Sequence, residues 1–198
     1  MIWMLIGAIA AGIGVGYVAL PPEAGGLIGE LTLWALNFLI LMIGIEVGQN
    51  LSVFKEIRKH GTMLVAIPLG IIAGSALGGF VSSLMFGQPA STGLAIAAGY
   101  GWYSLSGILL TTLDGAQTGA VAFMTNIFRE LMTIISVPFL AKYLNHYSAI
   151  APAGATAMDS TLPVISRYTD PEAAIMAFFS GVVLSSLVPV LVPFFYGL

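Results

Sequence analysis

Apolar residues run along this chain in seven stretches, at residues 1–20, 27–49, 61–86, 92–113, 116–141, 148–166 and 173–197, each bounded by Pro, Gly or a charged cluster. Stretches one, two, three, five and seven are long enough to cross a hydrocarbon core of roughly 30 Å as helices. The fourth and sixth read differently. The fourth, GLAIAAGYGWYSLSGILLTTLD, carries Gly99, Gly101, Ser104, Ser106 and Gly107 at its middle, and the sixth holds Pro152, Gly154 and Pro163 within about one span. Proline removes a backbone donor and glycine loosens a helix, so both segments are predicted to be discontinuous. At membrane depth, freed backbone groups are tolerated only where protein or a water-filled cavity satisfies them. Paired interrupted segments are a sequence pointer to a transporter's binding site. The plainer alternative is that these glycines only let helices pack closely, which is how Gly12 and Gly16, and Gly70, Gly74 and Gly78, are read.

Composition fits a membrane protein. The 198 residues are 58% hydrophobic and 8% charged, with a mean hydropathy of +0.99, far from the balance of a soluble domain. A net charge of −3 without long charged blocks gives no reason to expect nucleic acid as a partner. The absence of cysteine excludes thiol catalysis, disulfides and zinc-thiolate sites. His60 and His146 lie beside polar residues between apolar stretches and read as solvated, so no metal and no cofactor is expected. The first stretch lacks the positive leader of a cleaved signal and reads as a retained helix. The expected architecture is an all-α integral membrane protein, a single transmembrane transporter domain over residues 1–198, with its fourth and sixth segments discontinuous or re-entrant.

Charge also orients the chain. Lys55, Arg58 and Lys59 fall between segments two and three, which places that loop, and with it the N-terminus, in the cytoplasm by the positive-inside bias. If all seven segments span, Lys142 ends outside; if the fourth and sixth are hairpins dipping in from opposite faces, Lys142 and Arg167 both end inside. The bias favours hairpins, and either arrangement puts the C-terminus outside.

Few polar groups interrupt the apolar segments, and these are the candidates for chemistry. Asp159, in PAGATAMDSTLP, sits among the hydroxyls of Thr156, Ser160 and Thr161. An ionisable group in lipid costs about 2.5 to 3.5 kcal/mol on insertion scales, so one that is kept there points to ions or polar cargo. The alternative is an aspartate capping a short helix near Ser160. In the fifth segment Asn126, Arg129, Glu130 and Thr133 recur at spacings of three and four, which stacks them on a face that cannot look at lipid. Arg129 and Glu130 diverge by about 100° around the helix and need partners on other segments. Asp114 or Asp159 would suit the arginine, either as a structural ion pair or beside a substrate. Glu46 lies near the cytoplasmic end of segment two and is read as snorkelling, whereas the deeper amide of Asn37 needs buried partners. Glu23, Glu30, Asp170 and Glu172 read as surface charges near segment ends.

Three motifs, GYGWYSLSGILLT at 99–111, FMTNIFRELMTIISVPFL at 123–140 and GATAMDSTLPVISR at 154–167, resemble the prokaryotic LysO family of lysine exporters in their order and spacing. The likeness extends weakly upstream through GIEVGQN at 44–50 and covers essentially the whole chain. It implies export of L-lysine and toxic lysine analogues from the cytoplasm across the inner membrane. It also implies a functionally required acid at Asp159, in the position of the ATSMD-type motif. Long members carry about three further N-terminal membrane segments that this chain lacks, so a small membrane partner subunit or a homodimer is expected to complete the transporter. Glu46 stands where relatives are expected to have a neutral amide.

Lysine presents an ammonium and a zwitterionic backbone. A site for it needs a carboxylate, for which Asp159 is the candidate with Thr156, Thr161 and Asn126 around it. It also needs donors for the substrate carboxylate, for which the helix N-termini of the interrupted segments, with Tyr103, Ser104 and Ser106, are the candidates. Arg129, Glu130, Glu46 and Asn37 are assigned supporting or coupling roles. Exporting a cation against an inside-negative potential is uphill by about 2.3 kcal/mol per charge per 100 mV, so coupling to inward proton movement is expected. An intramembrane protease fails on inventory, because no histidine and no second aspartate is convincingly deep. A membrane subunit of a two-component exporter, or of a pore, inactive alone, is the remaining alternative.

Overall fold

The computed structural model divides into two compact units, Met1–Ile45 and Glu46–Leu198. It describes residues 62–198 continuously and, before them, isolated helical positions between Gly7 and Ile45. The expectations placed on Asn37, Glu46, Lys55, Arg58, Lys59 and His60 lie outside the described residues.

Every regular element of residues 62–198 is a helix: α1 (Thr62–Phe86), α2 (Ala90–Ala97), α3 (Tyr103–Asp114), α4 (Ala116–Tyr143), two 3-10 turns (Ser148–Ile150 and Gly154–Met158), α5 (Leu162–Tyr168) and α6 (Pro171–Tyr196). At 1.5 Å per residue, α1, α4 and α6, with 25, 28 and 26 residues, exceed the thickness of a bilayer core. All three are long and apolar enough to cross a membrane. Pro68, Pro138, Pro189 and Pro193 lie inside these helices without ending them, as membrane helices allow when neighbours satisfy the freed carbonyls.

Burial sorts the three by position. In the most apolar stretch of α6, 56% of residues are buried, against 22% in α1 and in α4, so α6 is the post around which the unit packs. The outer sides of α1 and α4 expose Leu77, Leu84 and Phe86, and Phe128, Met132 and Phe139, the residue types that hydrocarbon solvates.

Close helix contacts rest on small residues, since lipid supplies no hydrophobic force between helices. Among the described residues the closest approaches are made at other glycines than the Gly70, Gly74 and Gly78 stripe. Gly70, Gly74 and Gly78 of α1 are exposed, and no described atom lies within 4 Å of where a Cβ would stand. Gly79, one residue off that stripe, is buried against the backbone of Gly93 in α2. Gly181 of α6 similarly meets the backbone of Ala155 and Met158. A four-residue spacing marks a smooth helix face; it does not say that the face is occupied.

The fourth segment breaks between α2 and α3, and the sixth is two 3-10 turns followed by a seven-residue helix. Gly101 (φ 96°) and Gly154 (φ 61°) take left-handed backbone at these breaks. Tyr100 joins them at φ 46°, a conformation costly for a residue with a side chain, and is fully buried. The two breaks touch: the Ala155 N–H donates to the Tyr100 carbonyl at 2.8 Å.

Candidate functional site at the junction of the broken segments

A break in a membrane helix strands backbone donors and acceptors, and α4 supplies side chains for both breaks. Asn126, 2% exposed, accepts from the Gly101 N–H at 2.7 Å and donates from Nδ2 to the Ile96 carbonyl at 3.3 Å. Its amide therefore takes the orphan Gly101 N–H and adds a second bond to the Ile96 carbonyl, which already accepts from the Gly99 N–H at 3.2 Å. Nδ2 also reaches Ser106 Oγ at 3.2 Å and the Ala122 carbonyl at 2.9 Å, and Ser106 donates to the Trp102 carbonyl at 2.9 Å. Asn126 and Ser106 thus serve the backbone of the first break.

Arg129, one turn further along, serves the second. Its Nε donates to the Pro152 carbonyl at 2.9 Å, Nη2 to the Ala151 carbonyl at 3.4 Å, and Nη1 to Ser75 Oγ on α1 at 2.9 Å. The expected carboxylate partner is corrected here: among the described residues, neither Asp114 nor Asp159 pairs with it. Asp114 instead accepts from Thr118 Oγ1 at 2.7 Å and from the Tyr196 hydroxyl at 2.8 Å. Irregular backbone presents carbonyls that sequence does not display, and the guanidinium takes those.

Asp159 follows the second 3-10 turn. One carboxylate oxygen accepts from the Ser160 N–H, and the residue is exposed, which corrects the expectation of an acid withdrawn from solvent. It does not cap α5, whose first turn begins at Thr161 with no side-chain cap bond. Nor do the flanking hydroxyls bond it. Thr156 and Thr161 are buried; Thr156 Oγ1 donates to the Ala153 carbonyl at 2.8 Å and lies 3.2 Å from Thr161 Oγ1. These threonines fold the loop, and the carboxylate is left facing outward.

What lies near Asp159 is the start of α3. The Tyr103 phenol is within electrostatic reach of both Glu130 and Asp159, and its ring is fixed edge-on against Phe123 at 5.4 Å. Among the described residues no cation lies within ion-pair distance of either acid. Ser104, exposed, stands in the first turn of α3, where backbone N–H groups have no partner within their helix. Thr133 is buried and bonds back to the Arg129 carbonyl at 2.8 Å. The Tyr103 phenol at the start of α3 is thus within electrostatic reach of two carboxylates, one on α4 and one after the second 3-10 turn.

Away from this junction, His146 and Asp170 are partners rather than separate surface residues. His146 Nδ1 lies 2.7 Å from Asp170 Oδ2, and Asp170 Oδ1 accepts from the Ala173 N–H at 2.7 Å, capping α6. The cap bond first, and the histidine second, hold the Asp170 carboxyl below its ordinary value.

The family described as lysine exporter LysO matches this chain over residues 6–196. A lysine exporter LysO from Escherichia coli K12 is 38% identical over 168 residues, covering 84% of this chain and 55% of that protein. A putative lysine exporter from Haemophilus influenzae is 36% identical over 167 residues, covering 82% of this chain and 83% of the relative. The match thus spans about half the length of the Escherichia coli protein. No solved structure matches.

Proposed function

Because the chain belongs to the lysine exporter LysO family, we propose that it is a multi-pass secondary transporter that exports L-lysine and lysine analogues from the cytoplasm. The family is one of transporters, not enzymes, and the protease reading has nothing to support it. The observation that carries the proposal is Asp159, an exposed acid without a described cation, on the loop that follows the second of two broken segments whose backbones bond each other.

The chemistry suits a dibasic amino acid. The side-chain ammonium of lysine lies against Asp159, with Glu130 as a second acid and the Tyr103 ring as a cation-binding face. The substrate carboxylate lies at the N-terminus of α3, where the free N–H groups and the Ser104 hydroxyl favour an anion. Asn126 and Ser106 act at one remove, by holding the turn from which α3 starts. Thr156 and Thr161 do the same for Asp159.

Efflux of a cation against the membrane potential requires a driving ion, and inward proton movement is the simplest. Asp159 then alternates between proton and substrate. The N-terminus lies in the cytoplasm and the C-terminus outside, with the fourth and sixth segments entering as hairpins. The exposed Gly70, Gly74 and Gly78 face of α1 favours docking of a second membrane segment, from another copy or from a small partner subunit.

Lysine counterflow in proteoliposomes containing the purified chain tests the reading. Asp159→Asn is expected to lower the rate at least about a hundredfold, the scale of losing a charge partner of the substrate; a wild-type rate in this variant removes the role of Asp159. Downhill leak without counterflow points to a pore subunit instead.

A further inference from the structure

Among the described residues Arg129 is the one cation drawn into the bundle; Lys142 and Arg167 are exposed. An ordinary interior arginine has a carboxylate beside it. Among the described residues Arg129 bonds three neutral oxygens: two carbonyls of the broken sixth segment and one serine hydroxyl from α1. The buried Tyr100 hydroxyl, at the first break, has no hydrogen-bond partner among the described residues.

Unwound backbone carbonyls are the groups with which transporters of broken-helix architecture coordinate sodium. Here a covalently attached cation takes them. The stem of Arg129 passes Gly101, whose Cβ position is 3.9 Å from Arg129 Cδ, and the guanidinium ends 3.2 Å from the Cβ position of Gly154. The arginine therefore packs against the glycines of both breaks.

We propose that Arg129 is a resident cation standing where an alkali ion would otherwise bind: it draws together Ala151, Pro152 and Ser75, positions the loop that ends in Asp159, and makes transport independent of sodium and potassium. Rupturing this position leaves carbonyl oxygens that a free cation can then occupy. The inference rests on the transporter reading above for its transport arm, but its binding arm does not.

Two measurements test it. In proteoliposomes, wild-type lysine counterflow is expected to be equal in sodium, potassium and choline media; a sodium or potassium requirement in the wild type overturns the proposal. Arg129→Gln is expected to lose about tenfold or more in choline, the scale of losing charge-assisted hydrogen bonds, and to recover several-fold in sodium or potassium. Equal rates for this variant in all three media overturn it. Arg129→Lys keeps a tethered cation and is expected to stay ion-independent; a folded Arg129→Lys that needs sodium also overturns it. The second measurement is thermal unfolding of purified protein. Sodium or potassium, against choline at equal ionic strength, is expected to raise the midpoint of Arg129→Ala and leave the wild type unchanged; no difference between the two proteins overturns the cation position. If Arg129→Ala and Arg129→Gln fail to fold, Arg129→Lys and the wild type decide. Absence of wild-type counterflow in every medium strikes the transporter reading alone, because the unfolding arm still reads the site.

Discussion

The two broken segments meet at one junction yet are closed by opposite means. The first gap strands the Gly101 N–H, which the Asn126 amide oxygen takes, and the same amide adds a bond to the Ile96 carbonyl. The second leaves the carbonyls of Ala151 and Pro152, which a guanidinium with no acceptor of its own answers, while its Ala155 N–H goes to the Tyr100 carbonyl of the first. The type of side chain follows from which backbone groups the turn leaves over. The first solution is neutral and sealed; the second is charged and ends in an exposed acid.

The sharpest way to break this contrast is to remove each brace. Asn126→Leu leaves the buried Gly101 N–H unpaired, at about 1 to 3 kcal/mol, so thermal unfolding in detergent is expected to show a loss of about 2 kcal/mol. Arg129→Leu strands only acceptors, two carbonyls and the Ser75 hydroxyl, which tolerate under-satisfaction better than N–H groups do, and is expected to cost less. A larger loss for Arg129→Leu would dissolve the distinction. A comparable effect comes from the glycine at the second break. Gly154→Ala meets both a left-handed φ of 61° and the Tyr100 carbonyl, whereas Gly87→Ala has nearly the same φ, 63°, in open space. The expected costs are about 3 and 1 kcal/mol respectively, and equal costs would show that the breaks are not pressed together.

Within the first segment, Ser106→Ala is expected to lower stability by about 1 kcal/mol while leaving the lysine KM unchanged. Ser104→Ala is expected to do the reverse, with stability inside about 0.5 kcal/mol and a raised KM. A KM effect at Ser106 would blur the line between brace and binding surface. The smallest effect lies at the His146–Asp170 pair. A carboxyl held below the ordinary aspartate value of 3.8 stabilises fully above that pH and loses its contribution as pH falls through the lowered native value. The unfolding midpoints of wild type and Asp170→Asn are therefore expected to differ at pH 6 and converge towards pH 3, and a difference that grew in acid would reverse the assignment.

Much of the helical layout was legible before the coordinates. The apolar stretches at 61–86, 116–141 and 173–197 coincide within a few residues with α1, α4 and α6, because length and hydrophobicity are read directly from composition. The glycines of GYGWYS and the Pro152–Gly154 pair mark where the backbone leaves the helix. Partners were less legible. Arg129 was matched to carboxylates because sequence displays only side chains, and its true acceptors are backbone atoms created by the fold. The Gly70, Gly74 and Gly78 stripe meets no described atom, because spacing describes a surface and not what covers it. Asp159 was placed deep because its flanks are apolar, but a 3-10 turn packed on Gly181 sends Thr156 and Thr161 inward and turns the acid out.

The bond from the Ala155 N–H to the Tyr100 carbonyl is made wholly of main-chain atoms. Every amino acid except proline provides that donor, and every amino acid provides that acceptor. Truncating the Tyr100 or Ala155 side chain therefore leaves the atoms of this bond in place, whereas proline at position 155 removes its donor and a Cβ at Gly154 presses on its acceptor.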